Sequence, residues 1–541
     1  MIHPDSDRIR RWLSPGLIGL QVVSVIALLA AVADFAQPGN GFTQLILFGS
    51  KYADRALPEV RETPHAVTDN SLGYDGQFYA QIAMDPLLRD PALPGAVDNF
   101  SYRSRRILMP AVSHVAGLGK PAWILQAYAL LNVVCWLVLA VVLLRWFRPG
   151  DPEGWIRWFG VLFGAGLLYS IRFAVPDGPA LLLIAIGFAL IDSRRVNGGV
   201  VALALAALTR ETSVLAVGIL PSDTELRERS WIRFGILGAS VVLPLAIWIL
   251  YVNARGAALG LENNIGVSNF DFPFLGWIHT WQDTFRWDDW TSRRWVNRLA
   301  MVIGLSVQMV FFLVRWRWRE RAWRLGIVYA LLGLVLGSAV WEGYPPAAIR
   351  VLLPLTLAFN LAVPRGRGWI PLLLAGNLSM VAAPTALEAP MDPTFHLGRA
   401  TGPAYLLAED GESCWEIEFS PVWYQVEDSG KRQWRWAPGD ASVAVDNRSE
   451  RTVDAVLVLN LRAGRSCHMQ IRSVDTLLWS GEVDQVDQAV EVPVRLEPGR
   501  TSLEFESADP PVQASWQDKR MILFRVNHLE IRLLREAPTK E

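Results

Sequence analysis

One acid stands out for its setting. In Tyr74-Asp75-Gly76, Asp75 heads the run Gln77-Phe78-Tyr79-Ala80-Gln81-Ile82-Ala83, an amphipathic stretch. A carboxylate there could take a proton from an attacking hydroxyl. The run is expected to lie flat on a membrane interface through Phe78, Tyr79 and Ile82, presenting the acid to substrates that arrive in lipid. The alternative is a plain turn, since Asp and Gly are common turn residues. The amphipathic run behind the tripeptide favours chemistry.

Arginines form the second group. Tyr102-Arg103-Ser104-Arg105-Arg106 precedes the apolar Ile107-Leu108-Met109-Pro110. Three guanidinium groups at a membrane boundary suit an anion, because their planar forks match phosphate oxygens in a way that solvated lysines do not. They could instead meet lipid headgroups or pair with the loop's own acids. The third group is charged and falls within or beside apolar stretches: Arg172 and Asp177, the pair Arg210-Glu211, and Glu342 and Arg350. Charge at that depth is costly and normally faces a cavity. Two blander roles compete, Arg210-Glu211 as a structural ion pair and Asp177-Gly178 as a turn or helix cap.

The elements that must position these residues are membrane helices. Of 541 residues, 52% are hydrophobic, 19% are charged and 24 are Trp, which excludes an ordinary soluble chain. A net charge of −1 gives no general affinity for nucleic acid. Leu13 to Ala36 is too long for a signal-peptide core and reads as a retained anchor. Apolar stretches near 122–144, 155–171, 176–191, 199–208, 213–221, 234–252, 296–314, 325–340, 347–363 and 369–388 bring the count to roughly eleven crossings. Arg8, Arg10 and Arg11 put the N-terminus in the cytoplasm and the loop 37–106 outside. The later arginine clusters, at 194–195, 227–233, 315–324 and 365–367, then face the cytoplasm on one condition. The segments 199–208 and 213–221 must be half-depth, with Thr209-Arg210-Glu211-Thr212 lining a cavity.

Past Ala389 the pattern changes to short alternating runs, such as Ala455 to Leu459 and Met521 to Val526, parted by turns such as Pro498-Gly499. The expected architecture is a helical membrane bundle over 1–395 and an all-β sandwich over 400–541, outside the membrane. Cys414 and Cys467 could pair in an oxidising compartment, whereas Cys135 reads as helix packing. Trp434, Trp436 and Trp479 are assigned to the β core in preference to glycan stacking. The segment with Trp277, Trp281, Trp287, Trp290 and Trp295 is read as interfacial and amphipathic in preference to a lid. No histidine spacing suits a metal, no phosphate loop occurs, and Gly160 and Gly164 signal close helix packing.

The stretch Tyr74 to Ala83 resembles the first-loop motif of the polytopic lipid-donor glycosyltransferases, the GT-C superfamily. It is similar to the Trp-Asp-Gly-x-Trp-Tyr pattern of the glycosylphosphatidylinositol mannosyltransferase relatives, and more loosely to the Asp-Glu-x-x-Tyr-Ala-x-Ile pattern of the aminoarabinose and protein mannosyl transferases. Tyr102 to Pro110 and Leu208 to Thr212 resemble stretches of bacterial members, and the likeness spans about the first 390 residues. It implies a helical bundle with an outward cavity, in a bacterial inner membrane. The donor is then a polyprenyl-phosphate sugar and the acceptor a glycan, lipid or protein, with no nucleic acid involved. Asp75 becomes the base, and the substrate-binding set is Tyr74, Tyr79, Arg103, Arg105, Arg106, Arg172, Asp177, Arg210, Glu211, Glu342 and Arg350. The cofactor expectation is limited to a divalent cation, Mg or Mn. Asp75-Gly76 stands where many relatives have Asp-Glu, which weakens it. Two other classes compete. A flippase for lipid-linked sugar needs paired broken helices, of which the sequence offers one. A non-catalytic assembly partner would need no acid at all.

Overall fold

Apolar helices make up the first of two units, Met1–Leu387, and strands the second, Glu388–Glu541. The computed structural model describes residues 4–37, 39–68, 71–221, 231–261, 269–286, 292–342, 346–388, 397–401, 414–428, 433–449, 451–473, 476–514 and 518–536. Arg227, Arg229, Trp287, Trp290 and residues 343–345 lie outside the described residues, as do the side chains of Arg8, Arg10 and Arg11.

Five helices, Pro15–Ala33, Pro121–Leu143, Pro152–Arg172, Ile232–Ala258 and Arg293–Val314, are long and apolar enough to cross a membrane. A bent pair, Arg367–Gly376 and Leu378–Ala386, would make six. Other apolar stretches fold as shorter helices, among them Asp177–Asp192, Val196–Thr209, Arg321–Val335 and Leu353–Ala362. Val22, Val23 and Ile26 on the first span, and Ile236, Leu243, Ile247 and Leu250 on another, are exposed. Apolar helix faces of this extent are what hydrocarbon covers, and the chain is a multi-pass membrane protein.

The two segments expected at half depth are both short. Val196–Thr209 ends at Arg210, whose backbone is extended (φ −152°, ψ 127°), and the chain resumes as the tight helix Glu211–Ile219. Further breaks occur that the sequence pattern did not disclose. One separates Pro152–Leu162 from Ala165–Arg172, and another bends the chain by 49° between Gly376 and Leu378. Their side chains are neutral. A Cβ on Gly160 would come within 2.4 Å of Asn377, and Asn377 exchanges hydrogen bonds of 2.9 Å with Asn360. Gly160 therefore serves close packing.

The loop 37–106 is a folded cap. Phe48–Gly49 and Val67–Thr68 pair in parallel, and short helices surround Asp75–Met84. That helix does not lie on an interface. Phe78, Tyr79 and Ile82 are 5%, 1% and 0% exposed, so protein covers the face expected to meet lipid. The polar face is covered as well, because Gln77 Oε1 accepts from Gly49 N (3.1 Å) and Gln81 Oε1 from Leu57 N (3.0 Å). Two glutamines thus satisfy backbone groups that an irregular loop would otherwise leave bare.

Helix Leu275–Phe285 packs its indoles inward. The N–H groups of Trp277 and Trp281 reach Ser306 Oγ at 2.8 and 3.2 Å, and that of Trp295 reaches Thr284 O at 2.9 Å. Phe274, Ile278 and Phe285 remain exposed, which leaves the segment amphipathic.

In the second unit two sheets share one core. One runs Thr476–Val483, Cys467–Ser473, Gly499–Glu506, Ala441–Asn447, Trp415–Phe419 in spatial order. The other centres on Val453–Ala463 between Gln488–Leu496 and Phe524–Glu536. Alternation is strict along Val453–Ala463, where every second residue is buried. The core indoles are Trp415 and Trp423, with the half-buried Trp479 packed against that core as expected; Trp434 and Trp436, also expected there, are only half-buried. Trp434 and Trp436 flank the Arg525 guanidinium at 4.9 and 5.5 Å, which holds them at the rim. Cys414 and Cys467 are free thiols. Cys467 opens one strand and Cys414 precedes another three positions away in the same sheet, about 14 Å at the usual strand spacing and beyond disulfide reach.

Gln81→Leu tests the cap. It strands the buried Leu57 N–H and is expected to lower unfolding stability by about 1–3 kcal/mol, measured by thermal or denaturant unfolding in detergent.

Candidate active site

Asp75 is the first residue of its helix, preceded by Tyr74 in extended conformation (φ −139°, ψ 172°). An acid in the first helical turn is favoured by the helix dipole. Gly76 explains why the chain can turn in here. A Cβ at that position would sit 2.3 Å from Phe173 O and 2.9 Å from Ile46 O, so two backbone carbonyls close over the helix start. A glutamate cannot occupy the position.

Arg103 holds the acid. Its Nη1 and Nη2 each lie 2.9 Å from one Asp75 oxygen, while Nε and Nη2 grip Asp98 at 2.8 and 2.7 Å. One guanidinium therefore clamps two carboxylates. Burial pushes the Asp75 carboxyl up, but the charge and hydrogen bonds of Arg103, with the charges of Arg350 and Arg106, outweigh it and hold the group below the usual carboxylate range. Asp75 is thus ionised, with 34% of its side chain open to solvent. Tyr79, behind it, has its phenol pushed up by burial against the opposing charges of Arg106 and Arg103, and is neutral. It accepts from Arg106 Nη1 at 2.6 Å and from Arg103 Nη1 at 3.4 Å.

Arg106 ties this loop to the broken helix. Its Nε donates to Glu211 Oε2 at 2.9 Å and its Nη2 to Tyr102 Oη at 2.6 Å. Arg210 and Glu211 accordingly do not pair with each other. Arg210 instead meets Asp177, whose other oxygen accepts from Arg350 Nη1 at 3.3 Å. Asp177 makes no cap; its fully buried carboxylate is shared by two cations. Arg350 completes a circuit by donating to Tyr74 Oη at 2.7 Å.

Arg172 differs from the others. It is 8% exposed, donates to Gln44 O at 3.2 Å, and lies 4.9 and 5.3 Å from the rings of Phe35 and Phe173. Phe173 in turn stacks on Tyr74 at 4.2 Å. The turn that carries Arg172 is strained, since Ala174 has φ 43°, and it is held by Tyr128 Oη on Ala174 O (2.8 Å) and by Asn132 Nδ2 on Val175 O (3.1 Å). Among the described residues, Arg172 and Arg105 have no carboxylate within ion-pair reach.

Of the residues expected at the site, Tyr74, Asp75, Tyr79, Arg103, Arg106, Arg172, Asp177, Arg210, Glu211 and Arg350 form one connected assembly through these contacts. Glu342 does not join it. It is exposed, and its charge acts on Arg298. Asp98 and Phe173 were missed by sequence reasoning; an acid five residues before Arg103 was the available signal for the first. No group of three or more His, Cys, Asp or Glu among the described residues could hold a metal. Asp75 and Asp98 share Arg103, and Gly76 leaves no room for a further acid, so this donor set does not fit Mg or Mn.

No protein-family model and no curated protein matches the chain. Among solved structures it is similar to the arabinofuranosyltransferase AftD from Mycobacteria, at 12% identity and a TM-score of 0.34 over 96% of this chain and 61% of that one. A second AftD structure gives 11% and 0.32, and the arabinosyltransferase EmbB from Mycobacterium smegmatis gives 10% and 0.23 over 84% of this chain and 63% of that one. The chain spans about three fifths of the length of these three structures.

Asp177→Asn is expected to cost about 3–5 kcal/mol of stability, because it leaves Arg210 and Arg350 buried beside a neutral amide. Gly76→Ala is expected to cost about 1–3 kcal/mol through the clash with Phe173 O. Unfolding in detergent measures both.

Proposed function

We propose that this chain is a membrane glycosyltransferase of the GT-C type that moves a sugar from a polyprenyl-phosphate donor to a hydroxyl acceptor outside the membrane. The observation that carries the reading is Asp75: an ionised, part-exposed carboxylate on a buried helix, paired with Arg103 and under the charges of Arg350 and Arg106. A lipid-phosphate donor already carries a good leaving group. What it needs is a base on the acceptor and positive charge on the departing phosphate.

In the proposed step the acceptor oxygen attacks the anomeric carbon as its proton passes to Asp75. The bond from that carbon to the phosphate oxygen breaks, and the lipid phosphate leaves with the electron pair. The displacement inverts the anomeric centre. Arg172, which has no carboxylate to neutralise it among the described residues and is joined to Tyr74 through Phe173, is assigned to the phosphate; Arg105 forms no hydrogen bond or ion pair with the assembly among the described residues. Arg103, Arg106, Arg210 and Arg350 are committed to acids and position the others. No general acid is required. The additional helix break at Asn377 carries the neutral Asn377 and Ser379 and no second charged pair like Arg210-Glu211, which favours an enzyme over a flippase.

Asp75→Asn is expected to lower transfer to a hydroxyl acceptor by about 10²–10⁴-fold while the protein folds normally, assayed with a radiolabelled polyprenyl-phosphate sugar. Undiminished turnover would remove Asp75 as base, and an assembly partner would be indifferent to the change. Arg103→Gln gives a pH test. In the parent the depressed carboxyl keeps Asp75 ionised down through the ordinary carboxylate range, so the benefit of pairing is present at neutral pH and lost as pH falls through the depressed value. Without Arg103 burial dominates, and the acid limb of the rate profile is expected to move to higher pH; a fixed limb contradicts the assignment.

A further inference from the structure

At the other end of the bundle lies a cavity that the proposed transfer does not use. Near the start of helix Pro121–Leu143, Gln126 binds the loop 37–106 through Phe42 N (2.8 Å) and Asn40 O (2.9 Å). The same helix ends at Leu143, about 25 Å further along at 1.5 Å per residue, and Arg145 and Arg148 follow there. Their side chains line a cavity of about 1280 Å³ with Arg157, Arg315 and Arg365. Against these five cations stand Asp151 and Glu320 in the lining and Glu153 beside it, whose Oε2 lies 3.8 Å from Arg157 Nη2; Asp151 already accepts from Gly154 N at 3.0 Å.

Two of the guanidinium groups are incompletely satisfied. Arg157 is 2% exposed; its Nη1 donates to Asn360 O (2.6 Å) and its Nη2 to Pro364 O (3.0 Å), while its buried Nε has no partner among the described residues. Arg315 has a buried Nη1 in the same condition, and its guanidinium sits 5.3 Å from the Trp369 ring. Arg315 also borders a second space. This groove, of about 730 Å³, is lined by Val307, Val310, Phe311, Val314 and Leu372, on the apolar flanks of Arg293–Val314 and Ile370–Gly376. One arginine thus joins a basic chamber to an apolar trough.

We propose that this end of the bundle binds an anionic membrane lipid, with its phosphate in the basic cavity on Arg157 and Arg315 and its hydrocarbon chains in the adjoining groove. Unpartnered buried N–H groups call for acceptor oxygens, and the excess of arginine over acid calls for negative charge. A soluble phosphate would satisfy both demands but would leave the groove unused. By the positive-inside bias such an arginine-rich end faces the cytoplasm, where anionic lipids are abundant.

Binding to the full chain in detergent is measured by native mass spectrometry with three probes: phosphatidic acid, the matching diacylglycerol and inorganic phosphate. Phosphatidic acid is expected to be retained at least about ten-fold more tightly than either of the others. Arg315→Gln and the surface variant Arg148→Gln are each expected to weaken it, the former by about ten-fold. Leu372→Trp, which fills the groove, is expected to weaken phosphatidic acid and leave inorganic phosphate unchanged. Equal retention of diacylglycerol, or inorganic phosphate bound as tightly as the lipid, overturns the proposal. So does indifference of phosphatidic acid to all three variants. None of these outcomes depends on Asp75 or on transfer activity.

Discussion

A charge removed from water costs several kcal/mol unless an opposite charge and hydrogen-bond acceptors meet it, and this cost governs how the first unit closes. Asp177 shows the constraint in its strongest form. Its carboxylate is fully buried and shared by Arg210 and Arg350, which come from a broken helix and a segment 140 residues later in the chain. Arg106 repeats the pattern between the cap and Glu211, and Arg350 reaches back to Tyr74, the residue beside Asp75. Each pair joins elements that propensity alone would leave independent. Folding of the bundle and assembly of the charged site are therefore one event, and any element that shifts strands a charge.

The same constraint sorts the arginines by role. A guanidinium already neutralised by a carboxylate has little left to give a ligand, yet it fixes geometry well because its fork is planar and directional. Arg103 is the extreme case, with two acids on one group. Arg172 stands apart, for its burial is offset by a backbone carbonyl and two aromatic faces, which solvate a cation without cancelling its charge. A positive charge is thus left without a carboxylate partner among the described residues, beside a strained turn.

Much of this was legible from residue types, because charge within apolar sequence is rare and carries its own warning. The first-loop acid, the arginines at 103–106 and the charges at 172, 177, 210, 211 and 350 were all recoverable in that way, as were the β strands from their alternation. Pairing was not. Arg210 and Glu211 are adjacent in sequence, yet adjacent side chains leave the backbone in different directions, and the true partners lie 33 and 105 residues away. The helix Asp75–Met84 was misjudged for a related reason. Its glutamines look like a solvated face, but a loop folded over them converts both into acceptors for backbone N–H groups. Sequence shows that a residue is amphipathic, not which surface satisfies its polar half.

Gly76 shows how such hidden constraints bear on chemistry. Two carbonyls approach it so closely that any side chain would push the helix start away from Phe173 and Ile46. Position 76 therefore cannot carry an acid beside Asp75, and the nearby carboxylate of Asp98 shares the Arg103 guanidinium that sets the charge of Asp75. An arginine partner fixes an acid in its ionised form yet leaves each oxygen a second lone pair. An acid held this way stays deprotonated and is poorly suited to donate a proton. The steric demand of one glycine fixes where the helix starts, and the charge demand of one arginine fixes the ionisation of the acid that starts it.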